Sequence, residues 1–104
     1  MRYKTYKLQK LEKSRKESLF TDDMDHCYMC SEPTPKDDIH EVFPGRNRLN
    51  SIKYKLVMPL CRYHHQLTHN NSDRLKATQY LGQKLFEENY PDLDFLSIFH
   101  KNYK

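Results

Sequence analysis

The sequence lacks a hydrophobic run that could cross a membrane. No stretch approaches the roughly 20 consecutive apolar residues that span a bilayer as a helix. The N-terminal residues Met1–Lys4 lead into no apolar core of a signal peptide. We therefore expect a soluble cytoplasmic protein with no membrane partner, in a compartment where thiols stay reduced.

Apolar residues and cysteines are also scarce. Of the 104 residues, 37% are hydrophobic and 31% are charged, so the chain predicts one domain with a small core. Such a domain often needs disulfides or a metal for stability. The 3 cysteines cannot close a set of disulfides, whereas three cysteines and one histidine complete a four-ligand metal site. The composition therefore favours a metal.

Positive charge is concentrated at the N-terminus. Residues 1–20 hold seven Lys and Arg against two Glu, a net charge of +5, whereas the remaining residues hold eleven against twelve Asp and Glu. We divide the chain into a basic arm or helix, residues 1–23, and a domain, residues 24–104. The arm fits contacts with nucleic-acid phosphates. A solvated helix fits the same pattern equally well.

The local patterns predict an α+β fold. Pro44-Gly45 ends a first strand, and Pro91 ends the longest helix. The caps proposed for that helix are Ser72 or Asp73. The predicted elements are strands over 39–43 and 56–60, a loop over 46–55, and helices over 61–68, 72–89 and 92–100.

Two ligand pairs carry the clearest chemistry. Cys27-x-x-Cys30 and Cys61-x-x-His64 each place two metal-binding side chains at the spacing of a tight turn or a helix start. Together they satisfy tetrahedral Zn²⁺, whose structural sites are closed sets of Cys and His. The alternatives are small buried hydrophobic cysteines or a redox pair.

A ligand pair, a hairpin, and a helix carrying the second pair describe a treble-clef zinc domain. From about residue 25 to residue 104, the chain resembles the HNH (ββα-metal) nucleases, in particular the small zinc-binding type similar to RecA-dependent phage nucleases. The resemblance implies a DNA endonuclease, nickase or recombination-associated nuclease, acting in the host cytoplasm if a phage encodes it. The segments that carry it are Cys27–Cys30, Ile39–Gly45 with Asn47-Arg48, Leu60–His65, and His69-Asn70.

The resemblance also implies a second metal site. Besides the structural zinc, a catalytic divalent ion, Mg²⁺ or Mn²⁺, is expected on His40 and His65. His69 lies one helical turn beyond His65 and is a candidate third ligand. His40, Glu41 and His65 are the candidate catalytic residues.

Two departures leave the enzymatic activity open. Glu41 stands where relatives have the histidine that acts as general base, and a carboxylate with a pKa near 4 is the weaker base at neutral pH. Leu56 stands where the motif asparagine is expected. One alternative is therefore a catalytically degenerate domain that binds DNA, a host protein or a phage recombination protein. Another is a zinc-containing interaction protein with no nucleic-acid role.

The remaining candidates are residues near the two expected metal sites. Asp38 is expected either to support the metal or to begin the strand. Tyr28 and Phe43 are interpreted as core residues in preference to platforms for stacked bases. Four basic residues are expected either to contact phosphates or to be solvated: Arg46, Arg48, Lys53 and Lys55.

Overall fold

A computed structural model describes residues 17–34 and 38–104. Within them, the chain forms a two-stranded sheet and four α-helices, which confirms the α+β prediction. None of these helices is long and apolar enough to cross a bilayer. The elements are β1 (Ile39–Glu41), a 3₁₀ turn (Gly45–Asn47), α1 (Arg48–Lys53), β2 (Val57–Pro59), α2 (Arg62–Asn70), α3 (Ser72–Asn89) and α4 (Phe95–Phe99).

The two strands form an antiparallel hairpin that separates two groups of side chains. His40 lies opposite Met58, and Glu41 lies opposite Val57. Because side chains alternate along a strand, His40 and Met58 share one face of the hairpin, whereas Glu41 lies on the other. On that other face, Val57 packs in a small cluster with Ile39 and Ile52 of α1.

The prediction of a loop over residues 46–55 is wrong, because this segment contains the 3₁₀ turn and α1. A segment of six residues would not hold a helix in isolation, since helix nucleation is unfavourable. Tertiary contacts stabilise it here. The fully buried Ser51 hydroxyl donates to the backbone carbonyl of Phe43 and accepts from its N–H, at 2.8 and 3.0 Å.

Two asparagines tie this region to the C-terminal helix. The side-chain amide of Asn47 donates to the carbonyl of Phe99, and that of Asn50 donates to the carbonyl of Ile98. Both asparagines therefore satisfy carbonyls at the end of α4 that have no partner further along a helix.

Aromatic rings fill the main core. Phe43, from the end of the hairpin, is fully buried, as predicted, and its ring centroid lies 4.9 Å from that of Phe99. In α4, Phe95 and Phe99 are buried and stack at 4.5 Å. Leu93 and Leu96, by contrast, are exposed.

The long helix α3 agrees closely with its predicted range, 72–89. Its cap differs by one residue, because the Asn71 side chain accepts from the N–H groups of Asp73 and Arg74. Thr78 and Phe86 are buried on its inner face, where Gly82 allows the hairpin to approach closely.

The described part of the arm contacts the domain. Glu17 forms an ion pair with Lys55 at 2.8 Å, and the N–H of Leu19 donates to the Lys55 carbonyl. Most of the basic arm, residues 1–16, lies outside the described residues, together with the phosphate contacts predicted for it.

Candidate functional site

The structure brings the four predicted zinc ligands together. One ligand atom from each of Cys27, Cys30, Cys61 and His64 lies within 4.8 Å of the others. The sulfurs of Cys30 and Cys61 are 3.8 Å apart, and the Cys61 sulfur is 3.2 Å from Nδ1 of His64. Tetrahedral Zn²⁺ with bonds of about 2.3 Å to sulfur separates two thiolates by about 3.8 Å. The group is compatible with a structural metal site.

Local backbone geometry places these ligands. The carbonyl of Cys27 accepts from the N–H of Ser31, which closes the tight turn between the first two cysteines. The N–H of Tyr28 donates to the carbonyl of Pro59 and fastens this turn to β2. Cys61 caps α2, where its sulfur accepts from the N–H of His64.

Backbone donors favour the thiolate form of Cys27. Burial raises the pKa of the Cys27 thiol, but backbone hydrogen bonds from Cys61, Met29 and Cys30 outweigh it, so the pKa is lowered overall. The thiolate is the form that binds metal. The backbone N–H groups around Cys27 thus stabilise its thiolate relative to an ordinary cysteine.

A second group consists of three histidines. His40 comes from β1, and His65 and His69 lie four residues apart on one face of α2. The Nε2 atoms of His65 and His69 are 3.2 Å apart. The ring of His40 lies 5.9 Å from that of His65 and 5.5 Å from that of His69, centroid to centroid.

His40 is the most constrained of the three. It is fully buried, and its Nδ1 has no hydrogen-bond partner within the described ranges. Burial, together with the neighbouring His69 and His65, lowers the pKa of His40 to about 3. The neutral imidazole is the form that binds a metal. A buried nitrogen without a partner is also the kind of atom that coordination would satisfy.

Asp38 supports the second group. Its buried carboxylate lies 3.3 Å from Nδ1 of His65 and 3.2 Å from Nε of Arg62. Histidine ligands commonly donate their second N–H to a carboxylate, which sets the tautomer and the orientation of the ring. The sequence suggested this role only through the position of Asp38, two residues before His40.

Thr78 of α3 is a neighbour that sequence reasoning missed. Its hydroxyl oxygen lies 3.5 Å from Nε2 of His40. A threonine carries no pattern of its own that would indicate contact with a histidine 38 positions away.

Glu41 is not part of the three-histidine group. Its carboxylate accepts from Nε of Arg48 at 3.0 Å, on the opposite face of β1 from His40. His40 and Glu41 are adjacent in sequence, so strand alternation directs their side chains to opposite faces. The structure therefore brings His40, His65 and His69 together, and separates Glu41 from them.

The four basic candidates lie in and after α1 and the 3₁₀ turn. Arg48 binds Glu41, and Lys55 binds Glu17. The ammonium of Lys53 lies 5.3 Å from the ring centroid of Tyr54. Arg46 is exposed. Two of the four thus already hold carboxylates.

Tyr28 differs from its prediction. It was expected in the core, but its residue surface is 41% exposed, with the ring edge-on to Phe20 at 6.0 Å. Within this turn Cys27 is buried, whereas Tyr28 and the two residues after it are exposed. Tyr28 is an exposed ring beside the first metal group, the cluster of the four predicted zinc ligands Cys27, Cys30, Cys61 and His64.

Comparisons with known protein families, with curated proteins and with solved structures found no match. What the two groups can bind therefore follows from their own donor atoms. Three sulfurs and one imidazole are donors that Zn²⁺ prefers. Three imidazoles without a carboxylate suit first-row transition ions better than Mg²⁺, which prefers oxygen ligands.

Proposed function

We propose that this protein is a metal-dependent DNA endonuclease or nickase of the HNH type, similar to the small phage nucleases. The observation that carries the proposal is the second histidine group. A buried strand histidine, His40, meets two helix histidines, His65 and His69. His65 directly follows His64, a member of the separate Cys/His group. In the proposed treble clef, the first group holds structural Zn²⁺ and the second holds the catalytic ion.

The donor set guides the choice of the second ion. The second ion would be Mn²⁺ or Mg²⁺. We expect Mn²⁺ to bind better, because imidazole nitrogens are poor ligands for Mg²⁺. The bound ion would stabilise negative charge on the scissile phosphate and on the leaving oxygen. His40, His65 and His69 would hold it, and Asp38 would keep the His65 ring oriented by accepting a hydrogen bond from its Nδ1–H.

Catalysis requires a general base, and Glu41 occupies the position at which the resemblance expects one. To act as general base, its carboxylate must exchange the Arg48 guanidinium for a water molecule near the phosphate. The 3.0 Å contact between the two side chains opposes this exchange, because it holds the carboxylate on the face of β1 opposite to the histidines.

The same contact favours a second candidate function. A domain whose general base is missing would bind DNA, or a host or phage recombination protein, without cutting. In that case the Glu41–Arg48 pair serves to join β1 to α1. The metal groups would then maintain the fold and the binding surface only.

Nicking of supercoiled plasmid by the zinc-loaded protein tests both candidates. We expect nicking with Mn²⁺ above that with Mg²⁺, and a loss of about 100-fold or more in His40→Ala and His65→Ala. His26→Ala and His100→Ala are matched controls, since both histidines are exposed and outside the two groups. Equal cleavage by all four variants would identify a contaminant and overturn the nuclease proposal.

A second set of variants tests the base. Glu41→Gln should abolish nicking if the carboxylate removes the proton, and should leave nicking unchanged if the carboxylate only pairs with Arg48. DNA binding without nicking in the wild type, with nicking gained in Glu41→His, would establish the degenerate domain instead.

A further inference from the structure

A cavity of about 220 Å³ lies between the turn of the first metal group and α3. Tyr28 and Met29 of the turn form one wall, and Ala77 and Leu81 of α3 form the other. Met58 of β2 also lines it. The cavity is smaller than the roughly 300–1,000 Å³ of sites that hold drug-sized ligands. It fits one flat ring or one side chain.

The cavity adjoins the three-histidine group through residues that neighbour His40. Met58 lies directly across the hairpin from His40, and cross-strand partners project from the same face. Thr78 lines the cavity and also lies 3.5 Å from Nε2 of His40. A group seated in the cavity would therefore be a near neighbour of a phosphate bound at the histidines.

The chemistry of the wall suits a nucleobase. An exposed tyrosine ring and two thioethers offer polarisable contacts to an aromatic face. Among the described residues that line the cavity, Arg74 alone carries a charge, and it is positive. A guanidinium beside an apolar ring site complements a nucleotide, which joins a flat base to an anionic phosphate.

We propose that this cavity binds a nucleobase that has left the double helix, so that the preferred substrate is DNA with an unpaired base next to the scissile phosphate. The proposal rests on the proposed function and specifies its substrate class. The base stacks against Tyr28 and between the two methionines, and Arg74 pairs with an adjacent phosphate. Extrusion is least costly where the base is already unpaired, which is the source of the selectivity.

Methionine methyl NMR provides a direct test on the zinc-loaded full chain, without a second metal. The probes are a DNA duplex with one bulged adenine and the same duplex fully paired. We expect the methyl signals of Met29 and Met58 to shift with the bulged duplex and far less with the paired one. Met24 is an internal control, because it packs on the Ile39 cluster instead. Unshifted Met29 and Met58 signals would overturn the proposal.

Measurements of DNA affinity on variants of the protein provide a second test. Tyr28→Ala should weaken binding of the bulged duplex about ten-fold, as expected for one lost base-stacking contact, and leave the paired duplex unchanged. Tyr80→Ala is the matched control, since Tyr80 is exposed on α3 and does not line the cavity. Ala77→Phe should fill the cavity and remove the preference while α3 stays folded.

The outcomes separate this proposal from the nuclease proposal. A preference for the bulged duplex that requires Tyr28, without nicking under any ion, would support the cavity and reject the nuclease. Nicking that requires the histidines, with equal affinity for both duplexes, would do the reverse. A cavity that accepts a side chain of a partner protein would show no shift with either DNA.

Discussion

At the scale of single residues, His40 determines the interpretation of the site. A buried imidazole nitrogen left without a partner costs on the order of 1–3 kcal/mol. A small core tolerates such a cost where another interaction offsets it, and a metal bond is the interaction for which neutral imidazole is suited. Because His65 and His69 lie next to His40, a metal bound by all three would offset the cost of burying this nitrogen.

Asp38 provides a prediction at this scale. Asp38→Asn keeps the shape of the side chain but removes the charge that orients His65, so Mn²⁺ should bind the zinc-loaded protein roughly 10–100-fold more weakly. Isothermal titration calorimetry measures this affinity. Asp92→Asn, an exposed carboxylate in the turn before α4, is the control. Equal Mn²⁺ affinity in Asp38→Asn and wild type would remove Asp38 from the metal site.

At the scale of elements, the hairpin sorts the candidate residues by face. One face presents His40 to α2 and α3, and the opposite face presents Glu41 to α1. A shift of one residue in the pairing of the strands would exchange these faces. The short hairpin therefore depends on the packing of the helices on both of its sides.

Gly82 lets α3 pack closely against the two residues that follow β1. A Cβ added there would lie 3.1 Å from ring and methyl carbons of Phe43 and Val42, and both residues are fully buried. Glycine costs a helix about 1 kcal/mol relative to alanine, so its presence here reflects this close approach.

We expect Gly82→Val to reduce the free energy of unfolding by roughly 2–3 kcal/mol, because the larger side chain overpacks a core that cannot move aside. Lys84→Val, at an exposed position of the same helix, is the control for helix propensity. Urea denaturation of both variants measures the difference. Similar loss in the two would mean that the hairpin can yield at Gly82.

At the scale of the whole molecule, the first metal group joins distant parts of the chain. Cys27 and Cys30 lie before the hairpin, whereas Cys61 and His64 lie at the start of α2. With 37% hydrophobic residues, the domain has limited apolar burial for its size. Metal bonds formed only in the folded state add their binding free energy directly to stability.

Removal of metal should therefore unfold the domain. We expect a chelator to abolish the cooperative thermal transition, and added Zn²⁺ to restore it, as followed by circular dichroism. Cys27→Ser should reproduce the effect of the chelator. His69→Ala, which alters only the second group at an exposed position, should keep the transition of the zinc-loaded protein. A metal-free protein with an unchanged midpoint would show that the core suffices.

Local patterns in the sequence were enough to predict several parts of the structure. The spacing of Cys27, Cys30, Cys61 and His64 predicted one group, because pairs separated by two residues present both side chains on the same side of a turn. The range of α3 followed from its helical periodicity and the proline beyond it. Both strands were placed correctly, although each is shorter than predicted.

Only the tertiary structure decided the properties that depend on distant residues. Helix α1 forms because Ser51 bonds to Phe43 and asparagine side chains hold α4, contacts that no local pattern reveals. The pairing of Glu41 with Arg48 and the exposure of Tyr28 likewise depend on which elements pack on each side of the hairpin. The sequence by itself determined which side chains can bind metal, since that follows from residue type and local spacing. The packing of helices on the two faces decided which of them meet, because burial and side-chain direction are properties of the assembled fold.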